Sequence, residues 1–450
     1  MKKRHVTLIS LLLLVILSMT ACSGSMNALP MQIMGDSAAA TDADLSYICK
    51  DGSVVYTYYN APIEDYTLLC SRYERRGYEL YSTAVMGDTL SSTYVQDGAM
   101  AHVYWHFESK ELNLVLSDDA GATLPHVTPP ESEGEAVPCT VTQMMDDQNG
   151  IGMGYVVQLT DGSYILYDGS FASQAERIEQ FLLENYRGEG KPIVRAWVLT
   201  HSHLDHFEAF KTFAQRAKEG EVPFTVEYII AAPMNDDAYP LSAEDGTAYL
   251  STDFFTDAAA FTGAQVVFAH TGMNFNFGNL RMEVLYSPES HFKYADEISY
   301  FNNTSLVTRL FDENYSALFL GDIGRTGTDF LTHHYGNYLQ SDMCQISHHG
   351  MEDVPLSFYE VVQAPLLFYP CDQSVYDQYG ENGHVRRGLQ GKFYTKEILI
   401  AGLGQYTRPW GTTFAYDAPL SMPDYVPPQV VGDKLPVTIK RPHLPFEKAA

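Results

Sequence analysis

The chain has 450 residues, of which 45% are hydrophobic and 13% aromatic, and its formal net charge at pH 7 is −28. This composition is that of a chain that buries a core, which excludes bulk disorder, and the length allows one large domain and a smaller one. The acidic charge disfavours nucleic-acid binding, which normally relies on lysine and arginine displacing phosphate counterions. A large net charge also keeps a protein soluble without any binding role.

The first segment is predicted to be a leader and not part of the fold. Lys2, Lys3 and Arg4 form a basic start, residues 6–17 are almost entirely apolar, and small residues lead to Cys22. This is the pattern of a secretion signal, and the apolar run is short for a membrane span of about 20 residues. An uncleaved membrane anchor is the alternative. Both interpretations place the rest of the chain outside the cytoplasm.

The end of the leader, Met19-Thr20-Ala21-Cys22, resembles the bacterial lipobox. The resemblance implies a lipoprotein signal peptide over 1–21, cleavage before Cys22 and lipidation of its thiol. Residues 22–45 would then be a tether that anchors the protein to the outer side of the cell membrane. Because the leader carries three basic residues and no acidic ones, its removal makes the net charge more negative by three.

The remaining cysteines give no sign of a metal knuckle or a redox pair. Their spacings are wide and irregular, and no C-x-x-C pair occurs among them. The pattern predicts buried or incidental thiols with at most one or two disulfides. These residues are Cys49, Cys70, Cys139, Cys344 and Cys371.

A small α+β domain of unknown role is predicted over residues 46–125. β-Branched and aromatic residues indicate a strand at 54–59, apolar spacing indicates a helix over Ile63–Tyr78, and short strands follow at 94–95, 101–107 and 112–116. His102 and His106 lie on one strand face, where they could ligate a metal or, as we favour, simply pack.

Residues 126–137 are acidic and proline-rich, which predicts a linker, and 417–450 is predicted to be a proline-rich tail.

The strongest chemical signal follows the apolar strand Ala196–Thr200. The sequence His201-Ser-His203-Leu-Asp205-His206 places three imidazoles and a carboxylate within six residues. Alternation puts His201 and His203 on one side, where they can share one ion, while Asp205 and His206 turn towards a second. Neutral imidazole and carboxylate are zinc-type ligands. The pattern predicts a metal site at the edge of a sheet.

This segment resembles the His-x-His-x-Asp-His signature of the metallo-β-lactamase superfamily, and the resemblance extends over residues 138–416. It implies an α/β fold, an αββα sandwich with metals at one edge. Asp168, after a Gly-rich hairpin, would support the metal loop from behind. Asp322, at the end of a strand ending Leu-Gly-Asp, would bridge both ions. His348 would be the last ligand, with His349 either a ligand or a supporting residue.

One branch of the superfamily is the best match. Asn-x-Ser-Leu-Val after residue 302, Leu-Gly-Asp and Ser-His-His-Gly resemble bacterial competence DNA channels and cell-wall phosphocholine esterases, which implies phosphodiester substrates. The third histidine that most members supply to the first ion is missing here. Asn303, His291 or water could take its place.

A second basic segment, Gly383-His384-Val-Arg386-Arg387, stands where the competence-type domain carries Gly-His-Pro. His384 could donate a proton to a leaving group and Arg386 could hold a phosphate, or the segment could be a surface loop.

These resemblances imply an extracytoplasmic hydrolase with two zinc ions and a metal-bridging hydroxide, with Asp205 and His384 as catalytic residues. A histidine at position 203, where the di-iron redox branch carries a carboxylate, favours hydrolysis. The expected substrate is a small-molecule or cell-envelope phosphodiester. Two alternatives stay open: a competence-type nuclease, disfavoured by the charge, and a non-catalytic surface-binding lipoprotein with a degenerate metal domain.

Overall fold

The computed structural model describes residues 43–49, 51–127, 136–145, 150–232, 252–289, 301–351, 354–382, 384–415, 417–423 and 425. The compact unit spans Asp44–Ala450 and contains three β-sheets. Cys22 and His291 lie outside the described residues, as does the leader. No helix in the described part of the chain combines the length and apolarity that a membrane span needs.

The first sheet is antiparallel throughout, with the strand order β1-β2-β6-β5-β4-β3. Its strands are β1 (Leu45–Ile48), β2 (Val54–Tyr58), β3 (Glu79–Met86), β4 (Thr89–Gln96), β5 (Ala99–His106) and β6 (Glu111–Ser117). Helix α1 (Ile63–Arg75) packs on it through Leu69 and Tyr73, which lie one helical turn apart and are buried. Gly77 follows the helix with φ +89°, a left-handed conformation that favours glycine at a helix end.

The second sheet has seven strands in the order β13-β12-β11-β10-β9-β8-β21. The strands are β8 (Thr140–Gln143), β9 (Gly154–Gln158), β10 (Tyr164–Asp168), β11 (Ile193–Leu199), β12 (Thr225–Ala231), β13 (Gln265–Phe268) and β21 (Tyr406–Pro409). Strands β10 to β13 are parallel to one another, so their carboxyl ends meet at one edge.

The third sheet has eight strands in the order β20-β19-β18-β17-β16-β15-β14-β7. The strands are β7 (His126–Val127), β14 (Asn274–Phe277), β15 (Leu280–Tyr286), β16 (Val307–Phe311), β17 (Ser316–Phe319), β18 (Met343–Gln345), β19 (Leu366–Tyr369) and β20 (Glu397–Ile400). Strands β17 to β20 are parallel to one another, and β7 is parallel to β14.

Two layers of helices cover the outer faces of the second and third sheets. Over the second sheet lie α2 (Ala175–Asn185), α3 (Leu204–Lys218) and α4 (Thr252–Thr262). Over the third lie α5 (Arg325–Tyr335), α6 (Leu356–Val362), α7 (Gln373–Asn382) and α8 (His384–Gln390).

The strand sequences explain this layering, because they are apolar on both faces. In β10, Ile165 and Tyr167 enter the core between the two sheets, while Tyr164 and Leu166 face the helices of the outer layer. Tyr167 stacks on Phe319 of β17 across the core, with ring centroids 3.8 Å apart. Strands buried on both faces read as continuous hydrophobic runs. The predicted αββα sandwich is confirmed.

The first sheet packs on this sandwich, since Val55, Met100 and Val115 belong to the same buried core as the facing sheets. The helix predicted over Ile63–Tyr78 ends three residues earlier, and β3 is an element that the sequence analysis missed. Within the predicted linker 126–137, His126 and Val127 form β7 and pair with β14. The division of the chain into domains at these boundaries stays a prediction.

Candidate metal centre

The polar residues of the signature lie where β11 ends and α3 begins. Leu199 ends the strand, His203 precedes the first turn of the helix, and Asp205 and His206 belong to that turn. The strand holds the segment rigidly, and a carboxylate in the first helical turn is favoured by the helix dipole. His201, Asp205 and His206 are buried.

The first group of potential ligands consists of His201, His203 and Asp322. His201 Nε2 lies 2.9 Å from His203 Nδ1 and 3.8 Å from Asp322 Oδ2. Burial lowers the pKa of His201 well below its usual value, and the nearby His206 and His203 rings act in the same direction. His201 is therefore neutral at pH 7, which is the form of imidazole that binds metals.

The second group consists of Asp205, His206, Asp322 and His349, all buried. His349 Nε2 lies 2.9 Å from Asp205 Oδ2 and 3.2 Å from Asp322 Oδ2. His206 Nε2 lies 3.1 Å from Asp322 Oδ2 and 3.8 Å from Asp205 Oδ2. Asp322 belongs to both groups, so its carboxylate is placed to contact two ions.

Hydrogen bonds at Nδ1, the ring nitrogen that faces away from Asp205 and Asp322, fix the orientation of both histidines in the second group. Asp168 Oδ2 accepts the Nδ1 proton of His206 at 2.7 Å, while its Oδ1 accepts the backbone N–H of Thr200 at 2.7 Å. His349 Nδ1 donates to the carbonyl of Pro370 at 2.7 Å. Each ring therefore turns Nε2 towards the carboxylates. Such outer hydrogen bonds are the usual support of metal-ligating histidines.

The donor set fits divalent ions. Asp322 Oδ1 is buried without a hydrogen-bond partner among the described residues, and leaving a buried carboxylate oxygen uncompensated is costly. Burial opposes a positive charge on His349, but Asp322 and Asp205 outweigh this and raise its pKa to about 10. A divalent ion would compensate the two carboxylates in place of that proton.

Backbone conformation explains how Asp322 and His349 reach the centre. Gly321 has φ +56°, and a Cβ there would lie 2.8 Å from Ser305 Oγ and 3.0 Å from Thr200 Cβ, so only glycine fits. His349 follows β18 with φ 55°, and His348 before it has φ 49°. Left-handed non-glycine residues carry strain and cluster at functional sites.

This turn decides between the two adjacent histidines. The structure brings His349 into the second group and leaves the predicted ligand His348, although buried, outside both groups. Two consecutive left-handed residues rotate the chain so that the second ring faces Asp205 and Asp322. The assignment of His348 as a ligand stays a prediction.

Asn303, a predicted substitute for the missing histidine, supports the Asp322 loop. Its Oδ1 accepts the backbone N–H of Gly324 at 3.0 Å, and its carbonyl accepts the hydroxyl of Tyr286 at 2.6 Å. Ser305, which the sequence analysis did not single out, has a more central place. Its Oγ accepts the Asp322 backbone N–H at 2.9 Å and lies 3.3 Å from His201 Nδ1. The Asn-x-Ser-Leu-Val motif contains this serine, so the motif could have identified Ser305 from the sequence.

Arg386 is the predicted residue of the second basic segment whose side chain the structure describes, and its partners lie within that region. Arg386 donates to Asp377 Oδ1 at 3.0 Å and to Tyr425 OH at 2.9 Å, and its guanidinium lies over the ring of Tyr376. Holding a phosphate would require Arg386 to leave these contacts. His384 is the first residue of α8, and its side chain lies outside the described ones.

Comparisons with known proteins agree with this geometry. Residues 149–270, which include His201 to His206, match the family model of the metallo-beta-lactamase superfamily. No curated protein sequence matches the chain. The family match covers residues 149–270, and the αββα layering of the described residues is consistent with it.

Several solved structures are similar at low identity. The metallo-beta-lactamase fold protein YhfI from Bacillus subtilis is 13% identical, with 59% of this chain and 86% of that chain covered and a TM-score of 0.30. CmlA, a diiron beta-hydroxylase from Streptomyces venezuelae, is 13% identical (59% and 45% covered, TM-score 0.31). A diphosphatase from the PhnP family is 12% identical (52% and 86% covered, TM-score 0.30).

Proposed function

We propose that the protein is a binuclear metal-dependent hydrolase whose two zinc ions are held at the edge of the sandwich. The observation that carries the proposal is the position of Asp322, whose carboxylate belongs to both groups of potential ligands. A carboxylate has two oxygens and can neutralise charge on two cations a few Å apart, as two-metal hydrolytic sites require.

The chemistry follows from that arrangement. Two divalent ions there would lower the pKa of a shared water from about 15.7 towards about 7 and polarise the bond under attack. Asp322 would hold the ions at a fixed separation. Asp168 would keep the proton of His206 on Nδ1, and the Pro370 carbonyl would do the same for His349. These contacts leave both Nε2 atoms free to ligate and the site rigid before substrate arrives.

Hydrolysis is favoured over oxygen chemistry by the ligand set. The first group contains His201 and His203 and takes its carboxylate only from Asp322. Such nitrogen-rich coordination suits zinc, which has no redox chemistry. A di-iron centre is the alternative, and the identity of the bound metal distinguishes the two.

We propose phosphodiesters as the substrate class, and a zwitterionic choline-type ester in particular. The support is the resemblance of the loops around Ser305 and His349 to those of phosphodiester-cleaving relatives, together with the net charge of −28. A polyanion such as DNA would be repelled by that charge, while a quaternary ammonium group is attracted to acidic and aromatic surfaces. The competence-type nuclease remains the rival within this class.

We further propose that lipidation of Cys22 anchors the protein to the outer side of the cell membrane. The support is the basic, apolar and small-residue pattern of residues 1–21. A small-molecule or cell-envelope substrate fits that location.

The test compares hydrolysis of bis-p-nitrophenyl phosphate, p-nitrophenyl phosphocholine and DNA by purified protein. The matched variants are Asp322→Ala and Asp329→Ala, since Asp329 is an exposed aspartate seven residues further along the chain. We expect the choline ester to be cleaved faster than DNA, with activity lost in Asp322→Ala and kept in Asp329→Ala. Faster turnover of DNA at low salt, where repulsion is strongest, would favour the nuclease. Absence of all three activities in metal-loaded protein would favour the binding-protein alternative.

A further inference from the structure

A second cluster of metal-type ligands lies away from the residues of the sandwich edge. Cys49 follows β1, His270 follows β13, and Glu289 follows β15, so three distant parts of the chain meet there. One ligand atom from each lies within 4.8 Å of the others. His270 and Glu289 are buried and Cys49 is partly buried. None of these residues belongs to the two groups around Asp322.

The histidine of this cluster has a supporting carboxylate, as His206 has, but at Nε2 instead of Nδ1. His270 Nδ1 faces Glu289 Oε2, while Nε2 lies 3.3 Å from Asp51 Oδ2. Asp51 is itself held by the N–H and hydroxyl of Ser53, at 2.9 Å and 2.6 Å. A carboxylate behind one ring nitrogen fixes the other nitrogen as a ligand, which is the usual outer support of a metal-binding histidine.

Glu289 is positioned to offer one oxygen and keep the other occupied. Its Oε1 accepts the backbone N–H of Thr271 at 3.0 Å, and Oε2 points to His270. The backbone N–H of Thr271, which also donates to Ser287 Oγ at 3.1 Å, thus holds Oε1 while Oε2 faces the cluster.

The charges also favour a cation. A carboxylate and a thiol share this buried space with one imidazole, and a second carboxylate lies behind that ring. A divalent ion at this place would be balanced by a thiolate and the Glu289 carboxylate.

We propose that Cys49, His270 and Glu289 bind a further divalent transition-metal ion of the zinc type, with Asp51 supporting His270. Sulfur, nitrogen and oxygen from three side chains are a ligand set that zinc accepts, with a fourth position open. The ion fastens the turn between β1 and β2 to the chain segments after β13 and β15. The ion would link the first sheet to the sandwich, and it shares no ligand with the hydrolytic centre.

The thiolate gives this ion a spectroscopic signature of its own. Among the described residues, the groups around Asp322 contain no cysteine. In cobalt-substituted protein, a sulfur-to-cobalt charge-transfer band in the near ultraviolet therefore reports the Cys49 cluster alone. The test uses the full-length chain as wild type, Cys49→Ser, Cys139→Ser and Asp322→Ala. Cys139 is the matched control, a partly buried cysteine outside the cluster.

We expect the band in wild type, Cys139→Ser and Asp322→Ala, and its loss in Cys49→Ser. Inductively coupled plasma analysis should find one ion fewer per chain in Cys49→Ser than in Cys139→Ser, with unchanged hydrolysis by the remaining centre. The absence of the band from folded, cobalt-loaded wild type would overturn the proposal and leave His270 in its hydrogen bonds to Glu289 and Asp51. Equal metal contents of Cys49→Ser and Cys139→Ser would overturn it as well. Neither result would affect the proposed hydrolytic site.

Discussion

Asp168→Asn tests the hydrogen bond that orients His206 in the second group of ligands, because it exchanges one carboxylate oxygen for an amide nitrogen. Asp168 now accepts three hydrogen bonds, from His206 Nδ1, the backbone N–H of Thr200 and its hydroxyl. Asparagine keeps the shape but replaces one oxygen with a donor. If its oxygen stays on the Thr200 N–H, the new amide N–H₂ faces His206 Nδ1. The ring must then carry its proton on Nε2, where it blocks metal binding.

The size of the effect follows from the role of such outer contacts. Loss of a supporting hydrogen bond of this kind lowers metal affinity about 10- to 100-fold, which corresponds to about 1.4 to 2.8 kcal/mol of binding free energy. We expect weaker binding of the ion proposed for the second group, which consists of Asp205, His206, Asp322 and His349. The ion held by His201 and His203 should be affected much less, since neither ring bonds to Asp168.

The assay is competition with a chelator, followed by metal analysis of the retained protein. Asp168→Asn should release one of the two sandwich-edge ions at a chelator concentration about 10- to 100-fold lower than wild type requires. Asp329→Asn, at an exposed position, should behave as wild type. Equal retention of both ions by folded Asp168→Asn and wild type would refute the idea that Asp168 sets the tautomer of His206.

Three further predictions concern the loop, the pH dependence and the anchor. Gly321→Ala should destabilise the fold by about 1–3 kcal/mol, because it combines a left-handed φ with contacts below 3 Å; an unchanged thermal midpoint would contradict this. Burial raises the pKa of Glu283 to about 7 despite the Tyr338 hydroxyl and Arg309, so the folded state binds its proton more tightly than the unfolded state. Stability from this group is present at low pH and is lost as the pH rises from about 4.5 to about 7. Glu283→Gln should therefore gain stability relative to wild type between pH 5 and pH 8 in chelator-treated protein, and parallel pH profiles of the two proteins would refute the assignment. Cys22→Ala should release the protein from membranes or block its maturation; membrane fractionation showing a normally processed, detergent-dependent pool would exclude lipidation.

The sandwich and the gathering of potential metal ligands at its edge were predictable from the sequence for a physical reason. Strands buried on both faces are continuous apolar runs, and the polar residues that end them, Asp168, His201 and Asp322, stand out against that background. The parallel order of the strands then brings these ends together at one edge. At these three residues, the polar interruption of an apolar run in the sequence coincides with the end of a strand at the ligand-bearing edge.

Other features depend on conformation or on distant contacts, which a single sequence does not encode locally. His348 and His349 are adjacent and chemically identical, and only their two left-handed backbone conformations decide which one faces Asp205. In the cluster of Cys49, His270 and Glu289, the cysteine lies more than 200 positions before the other two residues, and no spacing rule connects them. β7 is two residues long within an acidic, proline-rich segment, so its composition indicated a linker.

We propose that Asp322 holds two metal ions at one edge of the sandwich, and metal analysis of purified wild type and Asp322→Ala side by side, with Asp329→Ala as the control, tests this most directly. We expect Asp322→Ala to lose two zinc ions per chain relative to both other proteins, because it removes the ligand that the two groups share. Active wild-type protein without bound metal, or an Asp322→Ala variant that keeps both ions, would contradict it.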